Sequence, residues 1–132
     1  MREVILFAED YGHEAVASAL LERLGREHRV NITVTKRSAT GGRGKVISQL
    51  KAFLRDIDRG KEFLPDRLLV VIDANCKGFG EASREIAEAC KSFTGLTISA
   101  IPDPHIERWL LLDSSAFKEV FGMGCDAPDK KC

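Results

Sequence analysis

The chain has 132 residues, 44% hydrophobic and 30% charged, an ordinary globular mixture and long enough for one domain with its own buried core. Twenty basic residues balance twenty acidic ones for a formal net charge of +0, which argues against a protein that coats nucleic acid by charge alone but leaves room for a local basic patch. No apolar run approaches the ~20 residues of a membrane span, and the first strand is too short and acidic-ended for a signal peptide.

In chain order, Glu3-Val4-Ile5-Leu6-Phe7-Ala8 is a continuous apolar run, as in a strand buried on both faces. A helix is predicted from about Gly12 to Glu27, with Val16, Leu20, Leu21 and Leu24 along one side. Val30 to Thr35 alternates like a half-buried strand, and Lys36 to Gly44 is a polar, glycine-rich loop. Val46, Leu50, Phe53, Leu54 and Ile57 recur at helical spacing until Gly60.

Leu68-Leu69-Val70-Val71-Ile72 is a second fully apolar strand, stopping at Asp73. A third helix carries Ala82, Ile86, Ala89, Cys90 and Phe93, and Leu96 to Ile101 forms a fourth strand. Asp103-Pro104 reads as an N-cap with proline in the first turn of a helix holding Ile106, Trp109 (core) and Leu110. That helix yields near Asp113-Ser114 to a short one ended by Gly122. Alternating strands and helices predict a three-layer α/β/α domain over 1–122, with a mainly parallel sheet of about four strands. Residues 123–132 have no periodicity and read as an irregular tail.

Cys76, Cys90, Cys125 and Cys132 form no CxxC, so reduced thiols in a cytoplasmic protein are the simplest expectation. Zinc on Cys125 and Cys132 lacks a paired His spacing to support it.

In open parallel sheets, ligands bind beyond the carboxyl ends of the strands. Glu9, Asp10, His13 and Glu14 follow the first strand, Asp73 and Asn75 the third, and Asp103, His105 and Glu107 the fourth. Oxygen ligands converging this way suit Mg²⁺ (or Mn²⁺), which needs one or two carboxylates plus substrate phosphate oxygens. Each acidic residue taken singly reads equally as a cap for the next helix. Clustered carboxylates repel, so Glu9→Gln or Asp73→Asn is expected to leave melting temperature unchanged or raised.

The loop Thr40-Gly41-Gly42-Arg43-Gly44-Lys45-Val46 fails the P-loop pattern, because Ala39 and Val46 stand at positions that need Gly and Ser or Thr. It leaves a basic strip of Lys36, Arg37, Arg43 and Lys45, extended by Lys51 and Arg55, along which a phosphate backbone can lie. A solvated loop is the competing reading.

Three features together, the strand ending in Glu9, Asp73-x-Asn75 after a later strand, and Pro-Asp-Pro-His-Ile-Glu-Arg-Trp-Leu-Leu from Pro102, resemble the Toprim domain of topoisomerases, primases and overcoming-lysogenization-defect nucleases. The likeness is to small stand-alone Toprim-like proteins and spans roughly Arg2 to Gly122. It implies a compact parallel sheet, Mg²⁺ and breakage or joining of nucleic-acid phosphodiesters. Under it Glu9 matches the proton-transferring glutamate and Asp73 the first metal-binding aspartate. Asn75 stands where a second aspartate is expected, and Glu107 matches the acidic residue of the last motif.

The resulting expectation is a Mg²⁺-dependent nuclease. Metal sits on Asp73, Asn75 and Glu9; Glu9 and Glu107 are catalytic; Arg37, Arg43 and Lys45 face nucleic acid; Asp10, His13, Asp103 and His105 are secondary candidates. No Ser, Tyr or Cys stands out as a nucleophile, so water is the expected attacker. The alternatives are a catalytically idle module binding nucleic acid or protein, and a receiver-like phospho-accepting module, which normally needs a fifth strand and a Lys-Pro not found here. A homo-oligomer or a partner protein is compatible with either.

Overall fold

A computed structural model describes residues 1–37 and 41–124. Its elements are β1 (Arg2–Ala8), α1 (Tyr11–His28), β2 (Ile32–Lys36), α2 (Arg43–Asp58), β3 (Arg67–Val71), α3 (Phe79–Cys90), β4 (Thr97–Ala100), α4 (Ile106–Leu111) and α5 (Ser114–Phe121). All strands pair in parallel in the order β2-β1-β3-β4. The expected three-layer α/β/α architecture with about four strands is the one observed.

The continuous apolar runs have their reason in this order. β1 and β3 are the central strands, so both faces of each are covered and every alternate side chain meets a helix. Ile5, Phe7, Leu68, Val70 and Ile72 join Val46, Leu50 and Phe53 of α2 and Ala82 and Ile86 of α3 in one core. Val4, Leu6, Ala8, Leu69 and Val71 face the other way, toward Ala17 of α1 and Ile106, with Trp109 packed alongside. Leu50 is fully buried, and truncating such a side chain to Ala costs roughly 2–5 kcal/mol.

The second face is thinner than the sequence implies. Of the apolar side of α1, Leu20 and Leu24 are 46% and 47% exposed. Helix α4, the other cover on this side, has only six residues. The exit from α1 is tight: a Cβ on Gly25 would lie 2.9 Å from the Val30 carbonyl oxygen in the turn that follows the helix and 3.5 Å from Ile32 of β2.

Other boundaries also move. The third helix ends at Cys90, and Phe93 lies in a 3-10 segment, Lys91–Leu96. Asp103 does not cap α4: the Asp103-Pro104 peptide is cis, His105 occupies the N-cap, and α4 begins at Ile106. Cys76 is disulfide-bonded, which corrects the expectation of reduced thiols, whereas Cys90 is a free, buried thiol. Sequence spacing could not show this, because disulfide partners are brought together by the fold. Thr40 of the glycine loop and the tail from Cys125 to Cys132, with its zinc reading, lie outside the described residues. Among those described, no helix is long and apolar enough to cross a membrane.

Candidate metal centre

Strand order reverses between β1 and β3, because β1 leads outward to β2 and β3 to β4. The connections leaving these two strands therefore part in opposite directions and open a crevice at their carboxyl ends. Register aligns Ala8 with Val71, so Glu9 and Asp73 emerge side by side. The Asp73 backbone N–H donates to Glu9 Oε1 at 3.0 Å.

The first turn of α1 supplies the third group. Asp10 is the N-cap of α1, and its Oδ1 accepts from the His13 backbone N–H at 2.9 Å. The same oxygen lies 2.7 Å from His13 Nδ1. One capping carboxylate thereby starts the helix and fixes the imidazole. The ring is only 4% exposed, and its other nitrogen, Nε2, lies 2.8 Å from Asp73 Oδ1. Both imidazole nitrogens of His13 thus lie at ion-pair distance from a carboxylate, Nδ1 from Asp10 and Nε2 from Asp73. Asp73 is itself buried at 7% exposure. Its Oδ1 accepts from the Ile106 backbone N–H at 2.9 Å, and His105 Nδ1 stands 3.4 Å from Oδ2.

Glu9, His13 and Asp73 can each offer one ligand atom, all within 4.8 Å of one another. They line a cavity of about 330 Å³ with Asp10, His105, Glu107 and Arg108. Burial, reinforced by the Asp73 charge, pushes the Glu9 carboxyl above its usual range despite the Asp73 N–H. Burial opposes charging of His13, but its contacts with Asp10 and Asp73 outweigh this and raise its pKa. Asp10 moves down, chiefly through its bond to the His13 ring. The donor set fits a divalent cation. It combines two carboxylates with an imidazole whose Nδ1 is held by a third carboxylate, the arrangement that orients metal-bound histidines.

The structure thus brings Glu9, Asp10, His13, Asp73, His105 and Glu107 to one cavity. Asn75 lies beside it, outside the lining, at the start of a 3-10 turn. Its φ is 55°, and its backbone N–H donates to the Pro104 carbonyl. Asp103 is exposed and also outside the lining. The basic strip is partly neutralised within the fold. Arg37 pairs with Glu62 at 3.0 Å and stacks over the Phe53 ring, and Arg43 pairs with Glu85 at 2.7 Å. Lys45 is exposed and makes no ion pair among the described residues.

Sequence reasoning ranked His13 below Asn75 and gave Arg108 no role. The available signal was Asp10-x-x-His13, whose i,i+3 spacing puts both on one side of a helix start. Comparison with protein-family models, with curated proteins and with solved structures finds no match.

Proposed function

We propose that the chain is a divalent-metal-dependent phosphodiesterase acting on nucleic acid, with Glu9, His13 and Asp73 as the metal-binding set. The observation that carries this is the convergence of Glu9, His13 and Asp73, each offering a ligand atom within 4.8 Å of the others, in the cavity at the strand ends. A bound cation would polarise a phosphoryl oxygen and acidify a coordinated water.

The chain's own groups do the rest. Asp10 holds the His13 ring in the orientation that presents Nε2. Burial raises the Glu9 carboxyl above its usual range whereas Asp10 is lowered, which favours Glu9 over Asp10 as the carboxylate proton acceptor in the cavity. Arg108 and Glu107, on the cavity wall, are placed for a phosphate oxygen and a second proton transfer respectively. An imidazole among the ligands favours Mn²⁺ over Mg²⁺, which prefers oxygen alone. Glu9 and Asp73 are also the positions on which the Toprim resemblance rests, which supports the same chemistry. A phospho-accepting role for Asp73 has less support, because its Oδ1 already accepts from Ile106 and His105 stands by Oδ2.

The test is calorimetric titration of Mn²⁺ and Mg²⁺, paired with metal-dependent cleavage of single- and double-stranded nucleic acid. Wild type should bind Mn²⁺ more tightly and cleave. Glu9→Gln keeps an oxygen acceptor for Asp73 N–H but should weaken metal binding and abolish cleavage. A wild-type protein that binds neither ion, or equal cleavage by Glu9→Gln, refutes the reading.

A further inference from the structure

A second cavity lies on the thin side of the sheet, toward the opposite ends of the strands. It holds about 530 Å³, within the range of small-molecule sites. Leu69 and Val71 of β3 belong to its floor, Leu21 and Leu24 of α1 to one wall, and Ile106 and Trp109 to the other. Polar groups enter at one end only, where Arg2 opens β1, Arg67 opens β3 and Asp66 immediately precedes it.

The groove exists because α4 is too short to complete its layer. Six residues span about 9 Å at 1.5 Å each, whereas β3 from Arg67 to Val71 runs roughly 13 Å at 3.3 Å per step. The sheet left uncovered by the described residues is apolar, and parallel folds normally bury both faces. At the mouth, two guanidinium groups face one carboxylate. Arg2 pairs with Asp66 only loosely, at 3.6 Å, and Arg67 reaches the Asp66 backbone carbonyl instead of its side chain. The mouth therefore carries one cation in excess. An apolar trough with a net positive end is complementary to one chemistry, an apolar tail bearing an anionic head.

We propose that this groove binds a small anionic amphiphile, of the class of a medium-chain carboxylate, with its tail against Leu69, Val71 and Trp109 and its head at Arg2 and Arg67. The proposal is independent of the metal centre. That centre uses the carboxyl ends of β1 and β3, whereas the head-group end is built from their amino ends. Trp109, the only tryptophan, lies on the groove wall and reports occupancy directly.

The experiment follows Trp109 fluorescence during titration of the full chain with decanoate, decanol and decylammonium below their micelle concentrations, with sedimentation velocity on the same samples. Decanoate should give a saturable change at lower concentration than decanol, and decylammonium should bind weakest. Leu24→Glu sits at a half-exposed wall position and is compatible with folding; it should abolish the saturable change. Arg2→Gln with Arg67→Gln should leave decanol binding intact and remove the preference for decanoate. A non-saturating response overturns the site, and equal binding of decanoate and decylammonium overturns the head-group assignment. A protein-concentration-dependent dimer that Leu24→Glu converts to monomer identifies a second copy as the occupant and overturns the proposal.

Discussion

Replacing Asp73 separates its structural work from its metal chemistry. In the metal-free protein its Oδ1 accepts from the Ile106 N–H at 2.9 Å in a buried setting. A hydrogen bond to a charged acceptor contributes roughly 1.5–3 kcal/mol. Asp73→Ala removes that acceptor and the charge beside His13 Nε2, while relieving repulsion on Glu9. The opposing charge effects partly cancel, so the net loss is expected to stay near about 2 kcal/mol. For a chain of this size that lowers the melting temperature by roughly 6–10 °C. Asp73→Asn keeps one carbonyl oxygen for Ile106 and should lose about half as much. Charge clustering alone predicts no loss or a gain, and the difference arises because this carboxylate is also the anchor of α4. Thermal and urea unfolding of the three proteins in EDTA measure the structural part. Repetition with Mn²⁺ measures the metal part, as stabilisation that wild type gains and Asp73→Ala does not. If Asp73→Ala melts with wild type in EDTA, or is stabilised equally by Mn²⁺, the geometric account of Asp73 is wrong.

His13 has a raised folded-state pKa, so its contribution is fully present below its unfolded value and lost as pH rises through the folded one. Glu9, also raised, acts in the same direction from a lower pH, while Asp10, lowered, loses its contribution only in acid. Urea midpoints in EDTA should therefore fall as pH rises beyond the unperturbed histidine value of about 6.5, and His13→Gln should flatten that slope; an unchanged slope would place the titrating group elsewhere. Asn75→Asp should leave Mn²⁺ affinity unchanged in calorimetry, because Asn75 lies outside the cavity lining, and tighter binding would bring it into the ligand set. Lys45→Gln should reduce the salt slope of nucleic-acid binding by about one without altering stability. Arg43→Ala should destabilise the fold instead, by leaving half-exposed Glu85 without its partner; equal salt effects with no stability loss would reverse that assignment.

The sequence by itself determined the layers. Runs such as Val4 to Ala8 and Leu68 to Ile72 have no polar alternation, so only a sheet covered on both faces can bury them, and the 3.6-residue pattern of α2 supplies one cover. It also placed Glu9 and Asp73 at strand ends, since an acidic side chain after an apolar run marks where burial stops. Strand order came only with the tertiary structure. Adjacency of Glu9 and Asp73 depends on β1 and β3 being neighbours, a pairing between residues 64 positions apart that no local pattern encodes. The rank of His13 was decided in the same way. A histidine in a first helical turn is unremarkable until the fold sets its Nε2 2.8 Å from buried Asp73 and within 4.8 Å of a Glu9 oxygen, a convergence of three distant positions that no local spacing encodes. Leu20 and Leu24 show the converse. Their helical spacing was legible, but periodicity gives the direction a side chain points, whereas whether anything lies there is set by the length of a helix more than eighty residues further along the chain.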